Sequence, residues 1–264
     1  MPTTRRNGLP PLRQATAGLA AFILTLSSLL AGAGEAAAPG FRDDLNGWDK
    51  ARWLKSHDWA NGWEKNITGW LGQNVRFRDG RMLLRLTDSG AAGRPYSSGE
   101  YQTHGFFGYG RFEVRLKSVA APGVVTGFFT YTGPTFGTPH HEIDFEFLGK
   151  SPRQVQLNYF TDGVGGHQTD IDLGFDASTD FHTYAFEWRP ESIRWFVDGR
   201  LVHEETGTRG PLPSLPGKIY LDLWAGRDLD DWLGRFDYPG HPLLAEVDCV
   251  AFRPLGSTEP ACPQ

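Results

Sequence analysis

The stretch His141-Glu142-Ile143-Asp144-Phe145-Glu146-Phe147-Leu148 alternates acidic and apolar side chains with a period of two. On a β-strand successive side chains leave opposite faces, so Glu142, Asp144 and Glu146 share one face while Ile143, Phe145 and Phe147 enter a core from the other. Three crowded carboxyls do not all ionise at one pH, because each charge raises the pKa of its neighbours. One acid kept protonated beside one kept ionised is the pair that breaks glycosidic bonds. On a flat strand Glu142 and Glu146 would stand ~13 Å apart, whereas retaining chemistry wants ~5 to 5.5 Å between carboxyls. The pair can act together only if a curved strand lets both side chains lean inward, with Asp144 between them. A solvated sheet face would show the same alternation, so the neighbouring strands have to decide.

Outward from this stretch, strand patterns recur every eight to twelve residues. They cover 82–87, 110–116, 127–132, 142–148, 154–160, 182–188, 193–197, 201–205, 219–224 and 245–252. Asp79-Gly80 and Asp198-Gly199 have the chemistry of two-residue hairpin turns, where Gly supplies the positive φ that primed turns need. No helical periodicity of eleven or more residues follows residue 38, and no repeat or linker divides the chain. The fold class is all-β: one antiparallel domain of two packed sheets, a sandwich or jelly roll. Gln154, Gln156, Asn158 and Phe160 share one face, as do Phe129 and Tyr131, and Tyr220, Asp222 and Trp224. Amides beside carboxylates, with aromatic rings interleaved, suit a ligand rich in hydroxyls.

Composition agrees. The 264 residues include 33 Gly, 18 Pro, 9 Trp, 8 Tyr and 18 Phe against 2 Met, which suits short strands and many turns rather than a helical bundle. A net charge of −5 without a run of basic residues gives nucleic-acid binding no electrostatic basis. Residues 1–38 read as an export signal: Arg5, Arg6 and Arg13, an apolar run from Ala17 to Leu30 short of a bilayer span, and small residues before a cleavage point after Ala38. The expected product is a secreted or periplasmic bacterial protein over 39–264, monomeric and without a membrane anchor once the signal is cleaved. Of the two cysteines, Cys249 and Cys262, the spacing leaves open whether they pair. Asn66-Ile67-Thr68 has the form of a glycosylation acceptor, which a bacterial setting leaves idle. His140-His141 before Glu142 raises a zinc reading, yet adjacent strand residues face apart, and no Ser sits in a nucleophile-elbow pattern.

Glu142 to Lys150, then Val155-Gln156-Leu157-Asn158-Tyr159-Phe160, Gly163-Val164-Gly165-Gly166-His167, Phe128 to Pro134, Leu173 to Ser178 and Asp230-Asp231-Trp232-Leu233-Gly234 together resemble glycoside hydrolase family sixteen. Within it they are similar to the bacterial lichenases and the related β-1,3-1,4-glycanases that cleave exopolysaccharide. The resemblance spans roughly residues 41–255. It implies a concanavalin-like β-jelly roll with a concave substrate cleft, and retaining endo-hydrolysis of β-glucan without a catalytic cofactor. Glu142 matches the nucleophile, Glu146 the general acid/base and Asp144 the auxiliary acid, an assignment of the two Glu that strand geometry alone does not give. Asn61, Glu100, Phe129, Tyr131, Gln156, Asn158, Asp222 and Trp224 match substrate positions. Asp248 matches a side-chain ligand of a structural calcium, with a backbone carbonyl near Gly80 as its partner.

The chain departs from that pattern at His140, where lichenases carry Trp, and at Gln102, Phe160, Asp222 and Ile67 in place of Arg, Tyr, Asn and Cys. The lost cation at Gln102 and the added acid at Asp222 make the cleft more negative and point to a modified or branched bacterial polysaccharide. The expected protein is a secreted retaining endo-β-glycanase acting on a polysaccharide. A non-catalytic lectin-like module would share the sandwich without needing the acid triplet, and a transglycosylase would use the same covalent intermediate.

Overall fold

Alternation along the chain builds two sheets because each strand has one apolar face to hide. The computed structural model describes residues 38–258 and 260–263; the export signal expected over 1–38 falls, apart from Ala38, outside the described residues. The first strands in chain order are β1 (Phe41–Asp43), β2 (Trp53–Lys55), β3 (Thr68–Trp70), β4 (Val75–Arg78), β5 (Arg81–Thr87), β6 (Tyr96–Ser98), β7 (Glu100–Thr103), β8 (Gly110–Lys117) and β9 (Val124–Thr132). There follow β10 (His141–Leu148), β11 (Gln154–Phe160), β12 (Thr169–Asp172), β13 (His182–Trp188), β14 (Ile193–Val197), β15 (Arg200–Glu205), β16 (Lys218–Ala225) and β17 (Leu243–Pro254). One helical turn, α1 (Asp230–Leu233), precedes the last strand.

Seven strands form one sheet in the order β12-β11-β10-β9-β16-β7-β2. The other sheet has ten, in the order β15-β14-β13-β8-β17-β5-β6-β3, with β1 on β17 and β4 on β5. The pairing is antiparallel except between β3 and β6. All ten strands read from the sequence are present, with bounds moved by at most three residues. Those the sequence did not reveal, β1 to β4, β6, β7 and β12, are three or four residues long, too short for alternation to register. Asp79 and Gly80 have φ of 53° and 76°, and Asp198 and Gly199 of 46° and 75°, so both predicted turns carry positive φ at both central positions.

The acid strand shows how the layers lock. Ile143, Phe145 and Phe147 are at most 2 % exposed. Phe145 and Phe147 meet Tyr184 of the opposite sheet at 5.8 and 4.6 Å between ring centroids, both edge-on. Phe128, beside Phe145 on β9, lies 5.7 Å from Phe186. Such rings each bury roughly 150–250 Å², which makes this aromatic layer the main driving force for joining the sheets. A hydrogen bond also crosses the core: the indole Nε1 of Trp195 on β14 donates to the backbone carbonyl of Asp144 at 3.2 Å.

Cys249 and Cys262 form a disulfide across a separation of 13 residues. Thr183 Oγ1 donates to the Pro263 carbonyl and Arg42 Nη1 to that of Ala261, so the tail is tied down at three points. Closing a loop of that length restricts the unfolded chain by about 2–3 kcal/mol. Cys262→Ser is therefore expected to lower the unfolding free energy in urea by that amount, with the activity of the folded fraction unchanged, since the bridge sits on the ten-stranded sheet.

Candidate active site

The outer face of the seven-stranded sheet forms the floor of a cleft of about 1010 Å³. Its centre is β10, which pairs with β9 over His141–Leu148 and with β11 over Glu142–Glu146 without a register shift. An unbroken ladder keeps Glu142, Asp144 and Glu146 on one face, and all three line the cleft. Glu142 and Glu146 are partly open to it, whereas Asp144 between them is 2 % exposed.

These carboxyls differ because their surroundings differ. Burial, helped by the charge of Glu142, pushes the Glu146 carboxyl up to about 8. Asp144 is held well above the usual carboxylate range, first by burial, then by the charges of Glu142 and Glu146 and by its hydrogen bond to Glu142. Both shifts favour the protonated carboxyl, with Asp144 donating to Glu142. Asp222 and Glu100 extend the acidic row on β16 and β7, where they stand directly opposite each other. Burial dominates both: Asp222 is raised well above normal, with Glu100, Glu146 and Glu142 adding to it. Glu100 rises to about 7 against the opposing hydrogen bonds from Ser56 and Gln102 and the charge of Lys218.

Gly127 makes room for this cluster, since it faces Glu146 on one side and Asp222 on the other. A Cβ there would lie 2.4 Å from Asp222 Oδ1. The two consecutive histidines diverge, as strand geometry requires. His140 Nε2 lies 2.5 Å from Glu142 Oε2 in the cleft. His141 turns inward, 4 % exposed, with Nε2 3.1 Å from Asp162 Oδ1 and Nδ1 accepting from Ser214 N. They cannot share an ion with Glu142.

Of the substrate positions expected from the sequence, Asn61, Glu100, Phe129 and Tyr131 line the cleft, and so do Asn158, Asp222 and Trp224. Gln156 does not; it lines an adjoining polar pocket of about 270 Å³. It is joined to the cleft through Trp232, which lines both and whose Nε1 donates to Gln156 Oε1 at 2.9 Å. The structure adds Trp59 and Trp63, about 40 % exposed. Both precede β3, Trp59 in an isolated bridge to Trp70 and Trp63 in irregular backbone, where no periodicity could have marked them. Trp63, Trp224 and Trp232 form a run with centroid spacings of 5.8 and 6.0 Å, and Phe129 stacks on Tyr220 at 5.0 Å. The idle glycosylation match is explained: Asn66 is 1 % exposed, its Oδ1 accepting from the backbone N–H and hydroxyl of Thr68.

The calcium expected at Asp248 and Gly80 finds a poor donor set. Asp248 Oδ2 accepts from Arg115 Nη1 at 2.7 Å, and Arg81, Arg115 and Lys117 gather over the Phe181 ring. Calcium takes six to eight oxygens. Among the described residues no group of three His, Cys, Asp or Glu is placed to hold a metal ion. In this arrangement Asp248 is committed to Arg115 rather than held open for an ion.

Two outcomes follow from this geometry. Gly127→Ala should displace Asp222 towards Glu100 and crowd Glu146. That costs about 1–3 kcal/mol of stability, as overpacking does, and up to ~10²-fold in kcat/KM, measurable by urea melts and initial rates. The raised carboxyls also set a pH dependence: between their ordinary value of 4.5 and about 8 the native state holds more protons than the unfolded chain. Stability is therefore expected to decline across that window as pH rises, and Glu100→Gln should flatten the decline in urea melts.

Residues 63–240 match Glycosyl hydrolases family 16. The chain is 48 % identical over 212 residues to a β-glucanase of Acetivibrio thermocellus, covering 80 % of this chain and 62 % of that protein. It is 46 % identical over 213 residues to the β-glucanase of Paenibacillus polymyxa, covering 80 % and 87 %. Among solved structures, a prokaryotic β-1,3-1,4-glucanase (lichenase) derived from a mouse hindgut metagenome superposes with a TM-score of 0.78 at 43 % identity, covering 83 % of this chain and all of that one. With an acid-floored cleft on a jelly-roll sandwich and a family match over most of the folded residues, the chain belongs to glycosyl hydrolases family 16 and is a glycoside hydrolase.

Proposed function

We propose that the protein is a secreted endo-β-glycanase that hydrolyses internal bonds of β-1,3-1,4-type glucans with retention. The observation that carries this reading is geometric: an unshifted strand holds Glu142, Asp144 and Glu146 on the floor of one cleft, where burial pushes the Glu146 carboxyl up to about 8. Glu142 attacks the anomeric carbon as the bond to the leaving oxygen breaks, and Glu146 delivers its proton to that oxygen. The resulting glycosyl ester on Glu142 is opened by water, whose proton returns to Glu146, so the configuration is inverted twice. Asp144, as a buried donor, orients the Glu142 carboxylate. No metal takes part in any of these steps. Trp63, Trp224 and the Phe129–Tyr220 stack offer flat apolar faces to sugar rings, while Asn158 and Asn61 offer hydrogen bonds to hydroxyls. The curated β-glucanases at 46–48 % identity support a β-glucan as substrate. Burial raises both Asp222 and Glu100, so the extra acid at Asp222 adds less negative charge to the cleft than its residue type implies.

Glu142→Gln and Glu146→Gln should each lower the rate of reducing-end release from barley β-glucan by at least about 10³-fold. Azide should rescue Glu142→Ala with an α-glycosyl azide and Glu146→Ala with a β-glycosyl azide; the reverse products would exchange the two roles. The alkaline limb of kcat/KM should fall near pH 8, as Glu146 loses its proton. Retention on insoluble glucan without release of reducing ends would leave only a binding module.

A further inference from the structure

Beside Glu142 lies a side chain that this mechanism has not used. His140 sits one residue before β10 and lines the cleft. Its ring stacks on Phe160 at 4.7 Å and 17°, and meets Tyr131 at 5.1 Å and 59°. Phe160 and Tyr131 are also the two cross-strand neighbours of Glu142, on β11 and β9. The imidazole is therefore wedged between the same two rings that flank the carboxylate, with its Nε2 2.5 Å from Glu142 Oε2. The other titratable groups facing this wedge are Asp144, through its bond to Glu142, and the Tyr131 phenol, raised by burial and by the charge of Glu142. Such a contact fixes a side chain that would otherwise rotate about three bonds.

We propose that His140 is a positioning residue for the nucleophile: its Nε2–H, braced by Phe160 and Tyr131, clamps Oε2 of Glu142 and sets the direction from which the carboxylate meets the anomeric carbon. The inference rests on the reading of Glu142 as nucleophile. A ring in this place does two separable things. Its face supports the cleft wall, and its N–H orients the carboxylate. The hydrogen bond is made to a charged oxygen, so it weakens while Glu142 is an ester and reforms as the carboxylate departs in the second step.

The two contributions are separated by two substitutions. His140→Phe keeps a ring against Phe160 and Tyr131 but has no donor; His140→Gln supplies an amide N–H without the ring. With barley β-glucan, His140→Phe should keep KM within about twofold and lose kcat by roughly 10- to 100-fold, the scale of a misplaced reacting group. His140→Gln should recover most of that kcat while KM rises. An activated 2-deoxy-2-fluoro-β-glucoside, which labels the nucleophile covalently, should react with Glu142 in wild type. It should do so more slowly in His140→Phe by the same factor, and be restored in His140→Gln. Thermal melts confirm folding, and His140→Leu, which also lacks a donor, replaces His140→Phe if the latter does not melt cooperatively. Wild-type kcat and labelling rate in the donor-free variant, or equal losses in both variants, overturn the proposal. Label on a residue other than Glu142 in wild type overturns instead the assignment of the nucleophile, and the clamp with it.

Discussion

Everything in the cleft depends on one constraint: a strand can hold three acids on one face only if its other face is anchored hard enough to hold them there. Like charges on adjacent outward positions push a strand towards solvent, and burial of carboxyls carries a further desolvation penalty. Here Ile143, Phe145 and Phe147 supply the opposing force, all three buried, with Phe145 against Tyr184 and Phe186 of the facing sheet and Phe147 against Tyr184. The Trp195 indole reaches through the core to the carbonyl of Asp144, the most deeply buried of the three acids. The apolar half of the alternation is thus what makes the acidic half usable.

The second consequence of that anchoring is electrostatic. Once the acids are held in place, the protein answers their repulsion by keeping protons on those that are most desolvated. Asp144, Glu146 and Asp222 all lie above the ordinary carboxylate range, with burial the largest cause in each. Gly127 on β9, without a side chain between Glu146 and Asp222, lets carboxyls on the two flanking strands approach one another. Division of labour among chemically similar groups then needs no cation, only graded access to water.

Much of this was legible in the amino-acid order, and the reasons are particular. β10, β11, β9 and β16 are seven to nine residues long, and acids or amides alternate with apolar residues along β10 and β11, so both the fold class and the shared face of Glu142, Asp144 and Glu146 can be read directly. Asn61 and Glu100 came only from the family resemblance, since the first lies outside any strand and the second on a four-residue strand. Trp59 and Trp63 were invisible because an isolated bridge and irregular backbone have no period. Gln156 shares the face of Asn158, but it bonds Trp232 of α1 and lines the adjoining pocket, a helical contribution that strand periodicity does not encode. The pairing of Cys249 with Cys262 depends on where the tail returns, which two isolated cysteines do not specify.

The first and last strands of the fold are lateral neighbours: β1 lies along β17, with Phe41 opposite Phe252. Both belong to the ten-stranded sheet, behind the layer that carries the acids. A folded unit whose outermost strands in chain order lie side by side, on the reverse of its working surface, lends itself to circular permutation or to insertion as a cassette within a larger protein. Reconnection at that seam would leave the carbohydrate-facing wall as it is.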